Sequence, residues 1–499
     1  IGNGRKNKVI VTFHEQKAKE LYDDYRFFDP NAVYYPAKDV LFYQSDIRGN
    51  LLTAERIRAL RAIHEQQEVT VITTFDALMN TMAPPQTLWD SIQRIEPGDT
   101  VVLDELVKCL VRMGYEKEYQ VDTMGQFALR GGILDVFPLT EDNPVRIEMW
   151  GDEVDTIRSF DVESQKSIEN LDELVIYPAC ELVLDDEQKQ VGIEHLLKEA
   201  KSFSAKLKKE MKTEEAHRAL SMAQELAEEW GELSVTAGMD AFLSYFCNER
   251  VGLLDYLDPS DSYLFFDELS RCVERGRQTE VEFAESMKQR LEKGYILLGQ
   301  MKELFGLKEV MGRLERYSCI AVAALDVKTN GLKSNGQYGI HVKSVNAYNN
   351  SFELLIKDLQ HYKKNSYRII LLSGSKTRAA RLAEDIMNEG LNCFYTDDYD
   401  HELLPGQIMV CYGKVHKGYE YPILQFAVIT ETDIFGAERK KKKRHRTYEG
   451  EKIQSFTALN IGDYVVHENH GLGVYRGIEK IEVDHKVKDY IKIEYAGGS

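Results

Sequence analysis

Between residues 1 and 110, short β-branched runs alternate with stretches of helical period. Residues 8–12 predict a strand. Residues 16–25 predict a helix with Ala18, Leu21, Tyr22 and Tyr25 on one face, and residues 68–74 and 100–103 predict two further strands. This alternation is the signature of a mostly parallel sheet flanked by helices. Across residues 115–180 the helical period is lost. Gly125, Gly131-Gly132, Pro138, Asn143-Pro144 and Gly151-Asp152 punctuate short runs of β formers, which predicts a small antiparallel domain inserted into the α/β one. Residues 185–232 are charged and helical. Strands are expected again at 264–266 and 318–322, with a helical stretch near 278–304 between them. A second α/β unit is expected at about 338–436, with strands at 367–372, 407–411 and 427–430 and a helix at 378–387. Near the end, residues 490–495 alternate strictly, with Ile491, Ile493 and Tyr495 on one face. Gly462, Gly471, Gly473 and Gly477 mark tight turns of a small barrel or sheet.

Charge narrows the range of functions. The 499 residues hold 63 Lys and Arg against 82 Asp and Glu, a formal net charge of −19. Nucleic-acid affinity rests mostly on cations neutralising phosphates, so any DNA or RNA contact must be local. The 43% hydrophobic content excludes wholesale disorder. Apolar runs such as Ile369-Ile370-Leu371-Leu372 fall far short of the ~20 residues of a spanning helix, so no membrane partner is expected. No signal peptide is read at residues 1–8, and both ends of the chain read as cut. The seven cysteines are scattered without a C-x-x-C pair, which points to a reduced cytoplasm without a disulfide framework or zinc.

No intact ATPase motif is found. A phosphate loop needs two glycines, a lysine and a hydroxyl in the order G-x-x-x-x-G-K-[ST]. Ser373-Gly374-Ser375-Lys376-Thr377 fails at both glycine positions, and Gly413-Lys414 is followed by Val415. Leu264-Phe265-Phe266-Asp267-Glu268 resembles a Walker B strand, in which Asp would hold magnesium and Glu would orient water. Without a phosphate loop, Asp267 and Glu268 read as a relic or an ordinary strand end. No catalytic triad and no metal spacing stand out; His467 and His470 lie three apart in a β region, which does not align two ligands.

Two features suggest binding instead. Alternation in Val145-Arg146-Ile147-Glu148-Met149-Trp150 sends Val145, Ile147 and Met149 inward and Arg146, Glu148 and Trp150 outward. In Phe127-Ala128-Leu129-Arg130, Arg130 also faces out. The result is a sheet face with two arginines and a tryptophan, residue types enriched at binding hot spots. The bland alternative packs Trp150 under a loop and pairs the arginines with local acids such as Glu148. The second feature is the run Arg439-Lys440-Lys441-Lys442-Lys443-Arg444-His445-Arg446. Such a run can contact phosphate backbones, and between two folded units it reads better as a solvated linker.

The residues carry a family resemblance. Gly125-Gln126-Phe127-Ala128-Leu129-Arg130-Gly131-Gly132-Ile133-Leu134-Asp135-Val136-Phe137-Pro138, followed by Arg146-Ile147-Glu148-Met149-Trp150-Gly151-Asp152-Glu153-Val154, resembles the UvrA-binding domain shared by UvrB and bacterial transcription-repair coupling factors. Gly462-Asp463-Tyr464-Val465-Val466-His467-Glu468-Asn469-His470-Gly471-Leu472-Gly473-Val474-Tyr475-Arg476-Gly477-Ile478 is similar to the CarD-like RNA polymerase-interacting domain. Their order on one chain points to the amino-terminal half of the coupling-factor family.

The resemblance implies an α/β multidomain fold: degenerate helicase-like (RecA-like) α/β domains, an inserted antiparallel β domain and a terminal small CarD/Tudor-like β-barrel. It implies domains at 1–114, 115–180, 181–335, 336–438 and 457–499, with a basic linker at 439–456. It implies a bacterial, cytoplasmic DNA-repair scaffold that recruits UvrA through Arg130, Arg146 and Trp150, and that docks on the RNA polymerase β subunit near Ile481 by edge-strand pairing. Relatives can carry Phe where Trp150 stands, a departure that keeps an aromatic. Asp267-Glu268 and Gly418-Tyr419-Glu420-Tyr421-Pro422 match degenerate helicase motifs, and a first phosphate loop would fall before Ile1. The full-length family member is an ATP-dependent double-stranded DNA translocase, so ATP and magnesium are expected in its motor and no cofactor in this part. The rival reading is a UvrB-type ATP-dependent damage verifier, for which the loop between Gly114 and Tyr119 is too short to form the strand-separating hairpin.

Overall fold

The first parallel sheet has the order Ser318–Val322, Ser262–Asp267, Asn7–Thr12, Thr70–Thr74, Ala32–Tyr35. Its alternation buries Val9, Val11, Val71, Leu264 and Phe266 on one side, against Phe75, Leu269, Cys272 and Phe283 of the flanking helices. On the other side the helix Glu15–Tyr25 lays Ala18 against Tyr34 and Ile72, with Leu21, Tyr22 and Tyr25 beside it, as its period predicts. The structure is a computed structural model that describes residues 7–38, 49–65, 68–232, 238–325, 334–399, 401–436, 464–467, 471–483 and 486–495. The backbone groups into two units, residues 1–346 with 355–431, and residues 347–354 with 432–499.

Residues 100–103 do not form the expected strand. Thr100 makes one isolated bridge to Glu153, and a helix, Leu103–Arg112, begins at the end of the run. Its Leu106 and Leu110, four apart, face the core, and this helical stripe overrides the β preference of Thr100-Val101-Val102. The helix packs on an antiparallel-rich sheet with the order Ser167–Asn170, Glu153–Phe160, Val145–Trp150, Ile133–Val136, Gln126–Arg130, Glu116–Lys117. Phe127, Leu134, Val136, Val145, Ile147, Val154 and Ile157 fill the core beneath it. The turn between Arg130 and Ile133 holds Gly131 at φ +63°, a backbone state that tight hairpin turns favour and side chains resist. The sheet is a true insertion: Gln93–Ile95 and Leu174–Ile176, on either side of it in sequence, pair antiparallel and close its base.

The helix Gly49–Glu65 is the platform for this insertion. Arg58 Nε donates to the Leu139 carbonyl at 2.9 Å, and Arg61 pairs with Glu141 at 2.7 Å. Tyr177 Oη donates to Glu65 at 2.9 Å. Deepest is Arg56, 0% exposed, whose Nε and Nη2 donate to Glu181 at 2.6 and 2.9 Å. Its guanidinium lies 4.2 Å over the Tyr35 ring. Lys38 joins Glu181 at 3.3 Å and Asp240 at 2.8 Å, so the buried charges are compensated.

The second α/β sheet has the order Lys343–Ser344, Tyr419–Tyr421, Phe426–Thr430, Arg368–Ser373, Ile408–Tyr412, Cys393–Tyr395. Its last four strands are parallel, and Tyr419–Tyr421 runs antiparallel beside Phe426–Thr430. The strands Tyr464–His467, Gly471–Val483 and Lys486–Tyr495 form, among the described residues, an antiparallel three-stranded sheet. Among the described residues no helix is long and apolar enough to cross a membrane.

The buried charges give a stability prediction. Burial alone raises the Glu181 carboxyl, but Arg56 and Lys38 outweigh it and hold the group down to about 2, against an ordinary 4.5. Its contribution is therefore complete above pH 4.5 and is lost as pH falls towards 2. In urea unfolding, Glu181→Gln should cost about 3–5 kcal/mol at neutral pH, because it strands a buried guanidinium. The gap between variant and parent should narrow as pH falls below 4.5.

Candidate partner-binding face

Arg146 stands on Val145–Trp150 directly opposite Asp135 on one neighbouring strand and Arg158 on the other; Ala128 lies opposite Asp135. This rung lies on the face away from the core. Asp135 is nevertheless only 1% exposed, because long side chains from both flanking strands close over it. Arg146 clamps it with two parallel bonds, Nε to Oδ1 at 2.7 Å and Nη2 to Oδ2 at 2.8 Å. Arg130 adds a third, Nη2 to Oδ2 at 2.6 Å. The Asp135 bonds raise the Arg146 guanidinium further above its already high ordinary value, so it carries full charge. Its plane lies 4.5 Å over the Phe160 ring, and Gln165 Oε1 accepts from Nη2 at 3.2 Å.

Two residues along the strand, Glu148 pairs with Arg158 and accepts from Thr156 Oγ1 at 3.2 Å. Two residues further, Trp150 stands 82% exposed. The other end of the same face is covered: Val121, Ala128 and Phe137 form a small apolar cluster with Met124 and Val162. The open half therefore presents Arg130, Arg146, the Glu148–Arg158 pair and Trp150. Trp150 does not pack under a loop. The two arginines do pair with a local acid, but with Asp135 and not Glu148. Sequence reading missed Asp135, Arg158 and Phe160 as parts of the face. Two-residue alternation carried the signal, since it puts Asp135 on the rung of Arg146.

Asp267 ends its strand half-buried, and burial pushes its carboxyl up. Glu268 accepts the Ala324 amide at 2.9 Å and has φ +58°. Its carboxylate thus holds the exit of the neighbouring strand. Among the described residues no cluster of three or more His, Cys, Asp or Glu could hold a metal. The loop Ser373-Gly374-Ser375-Lys376-Thr377 does join a strand to a helix, but its polar groups are engaged within the chain. Gly374 N–H donates to Glu431 Oε2 at 2.6 Å, and Ser373 Oγ donates to the same oxygen at 3.1 Å. Arg378 pairs with the other Glu431 oxygen. Ser375 Oγ caps the helix Lys376–Asn388 by accepting from the Arg378 amide, and Lys376 pairs with Asp397 at 3.2 Å. A glutamate carboxylate thus stands at the helix start, where a phosphate would be held. Glu420, within Gly418-Tyr419-Glu420-Tyr421-Pro422, accepts from Tyr362 and Tyr367 at 3.1 and 2.8 Å.

Ile481 lies on Gly471–Val483 opposite Lys488. That strand pairs with Tyr464–His467 only as far as Val474. From residue 475 onward its ladder among the described residues is with Lys486–Tyr495, and Ile481 lies within that span. The basic run Arg439, Lys440, Lys441, Lys442, Lys443, Arg444 and Arg446 lies outside the described residues.

Residues 94–182, which include the antiparallel insertion that carries the arginine–tryptophan face, match the UvrB interaction domain family. Residues 459–499 match the CarD-like/TRCF RID domain family. The chain is similar to transcription-repair-coupling factors. It is 30% identical over 492 residues to the transcription-repair-coupling factor of Bacillus subtilis (strain 168), covering 98% of this chain and 41% of that protein. To that of Staphylococcus haemolyticus (strain JCSC1435) it is 30% identical over 505 residues, covering 99% of this chain and 42% of the relative. The chain thus spans about two fifths of the length of these relatives.

Exposure decides what Trp150 contributes. A side chain that packs on nothing should be removable without loss, so Trp150→Ala should shift stability by no more than about 0.5 kcal/mol. Thermal unfolding of the variant beside the parent chain measures this. A large drop would mean that the ring supports the sheet.

Proposed function

We propose that this chain is a docking scaffold of transcription-coupled DNA repair. Arg130, Arg146 and Trp150 recruit UvrA, and the strand edge at Ile481 docks on the RNA polymerase β subunit by adding a strand. The observation that carries the reading is the exposed Trp150 beside a clamped arginine pair, a large aromatic with no packing role next to cations held in fixed geometry. The two α/β sheets are degenerate RecA-like lobes, one formed by 1–114 with 181–335 and the other by 336–438. The UvrA-binding insertion is 115–180, the linker 439–456 and the polymerase-binding module, a small CarD/Tudor-like barrel, 457–499. In the full-length protein an ATP- and magnesium-dependent motor translocates on double-stranded DNA and displaces stalled RNA polymerase in the bacterial cytoplasm. Asp267 and Glu268 are the remnant of a Walker B strand, and the run at 439–446 is a solvated linker.

The engagement of Gly374, Ser375 and Lys376 within the chain supports a scaffold over a nucleotide-binding role for the second α/β sheet. UvrA capture by this chain is accordingly independent of nucleotide, and an ATP titration should show no micromolar binding. Arg146→Ala should weaken UvrA binding by about 2 kcal/mol, roughly thirtyfold, in surface-immobilised titrations. Undiminished binding would sink the site assignment. Ile481→Asp should reduce capture of the polymerase β subunit while leaving UvrA affinity unchanged.

A further inference from the structure

We propose that Asp135 is the positioning residue of the arginine face, and that it tunes the face to accept one partner carboxylate flanked by an apolar pocket. This inference rests on the UvrA-docking reading above. An ionised carboxylate that is 1% exposed is stable only when fully paired, and here the pairing comes from the two arginines proposed to meet the partner. Each of the three bonds is charge-assisted, and the bidentate one fixes both the position and the plane of the Arg146 guanidinium. Phe160 holds the same plane from below. Free arginine side chains lose rotamer entropy on binding; here much of that ordering is already in place in the free protein.

The charge arithmetic defines the complement. Arg130 and Arg146 share the single charge of Asp135, and Glu148 is matched by Arg158. The arginine cluster therefore keeps one net positive charge, with Glu153 opposite Trp150 at the far end of the face. The Nη1 of Arg146 and the Nε and Nη1 of Arg130 donate to no described residue, and Arg130 is 42% exposed, so donors from both guanidiniums remain for a ligand. One carboxylate on the partner satisfies them. A second would meet no unbalanced charge and would pay desolvation without return. Trp150, four residues along the same strand face, lies roughly 13 Å from Arg146 and requires an apolar pocket at that offset.

The test compares Asp135→Asn with Arg146→Ala in the full chain, titrating UvrA and resolving association and dissociation rates. Asp135→Asn is nearly isosteric and raises the net charge of the face. If Asp135 positions the arginines, the variant loses affinity about tenfold through faster dissociation, while association is unchanged or faster. The double variant Asp135→Asn/Arg146→Ala then loses less than the sum of the two single losses, because Asp135 acts through Arg146 as well as through Arg130. Unchanged or tighter binding by Asp135→Asn, or losses that add in the double variant, would overturn the inference while leaving the docking face intact. Undiminished binding by Arg146→Ala would instead overturn the docking face. A measurement on the unmodified chain covers the case in which Asp135→Asn does not fold. Guanidinium ¹⁵N NMR should show the Arg146 Nε–H protected from solvent exchange in the free protein, and rapid exchange would refute the clamp.

Discussion

The architecture depends on the ion pair between Arg56 and Glu181. It joins a helix of the first α/β sheet to the segment that leaves the antiparallel insertion, and it does so with both charges removed from water. A buried pair contributes little net energy beyond a hydrophobic substitute, but it tolerates almost no misalignment. That intolerance orients the insertion. Once Glu181 is seated, the neighbouring contacts of Arg58, Arg61 and Glu65 with Leu139, Glu141 and Tyr177 fall into register along one helix face. The sheet that presents Arg146 and Trp150 is thereby held against a rigid support.

The same physics recurs on the face itself with a different outcome. Asp135 is as deeply covered as Glu181, yet its partners lie at the surface and keep donors in reserve. Buried charge in the platform specifies where a sheet goes, whereas buried charge in the face specifies how two surface cations point. At the second α/β sheet a third arrangement appears, in which Glu431 engages the amide of Gly374 and the guanidinium of Arg378. A strand–helix junction of the type that binds phosphate is thus closed by an anion of the chain's own. The three sites show carboxylates serving as structural counter-ions on a chain whose composition is acidic.

Alternation and period made much of this legible. The strands at 8–12, 318–322 and 427–430 and the helix at 16–25 emerge where the pattern puts them. Arg146, Glu148 and Trp150 point outward as a period of two requires. Residues 100–103 misled because three β-formers preceded a helix whose stripe, Leu106 and Leu110, lies further on. Asp135 was invisible as a buried group for a related reason. Its strand position says surface, and its burial is made by side chains from two other strands, which no local window contains. Arg56 and Glu181 are 125 residues apart, so their pairing is purely a property of the fold.

The ribbon formed by Gln93–Ile95 and Leu174–Ile176 brings the two ends of the insertion side by side. The loop-closure cost of the intervening chain is met at this neck. The neck, together with Leu139, Glu141 and Glu181, and not the arginine face, therefore defines what the α/β scaffold must recognise. A substitution on the outer surface of the sheet leaves this pairing in place, so the face can change its chemistry while the ends of the insertion keep their separation.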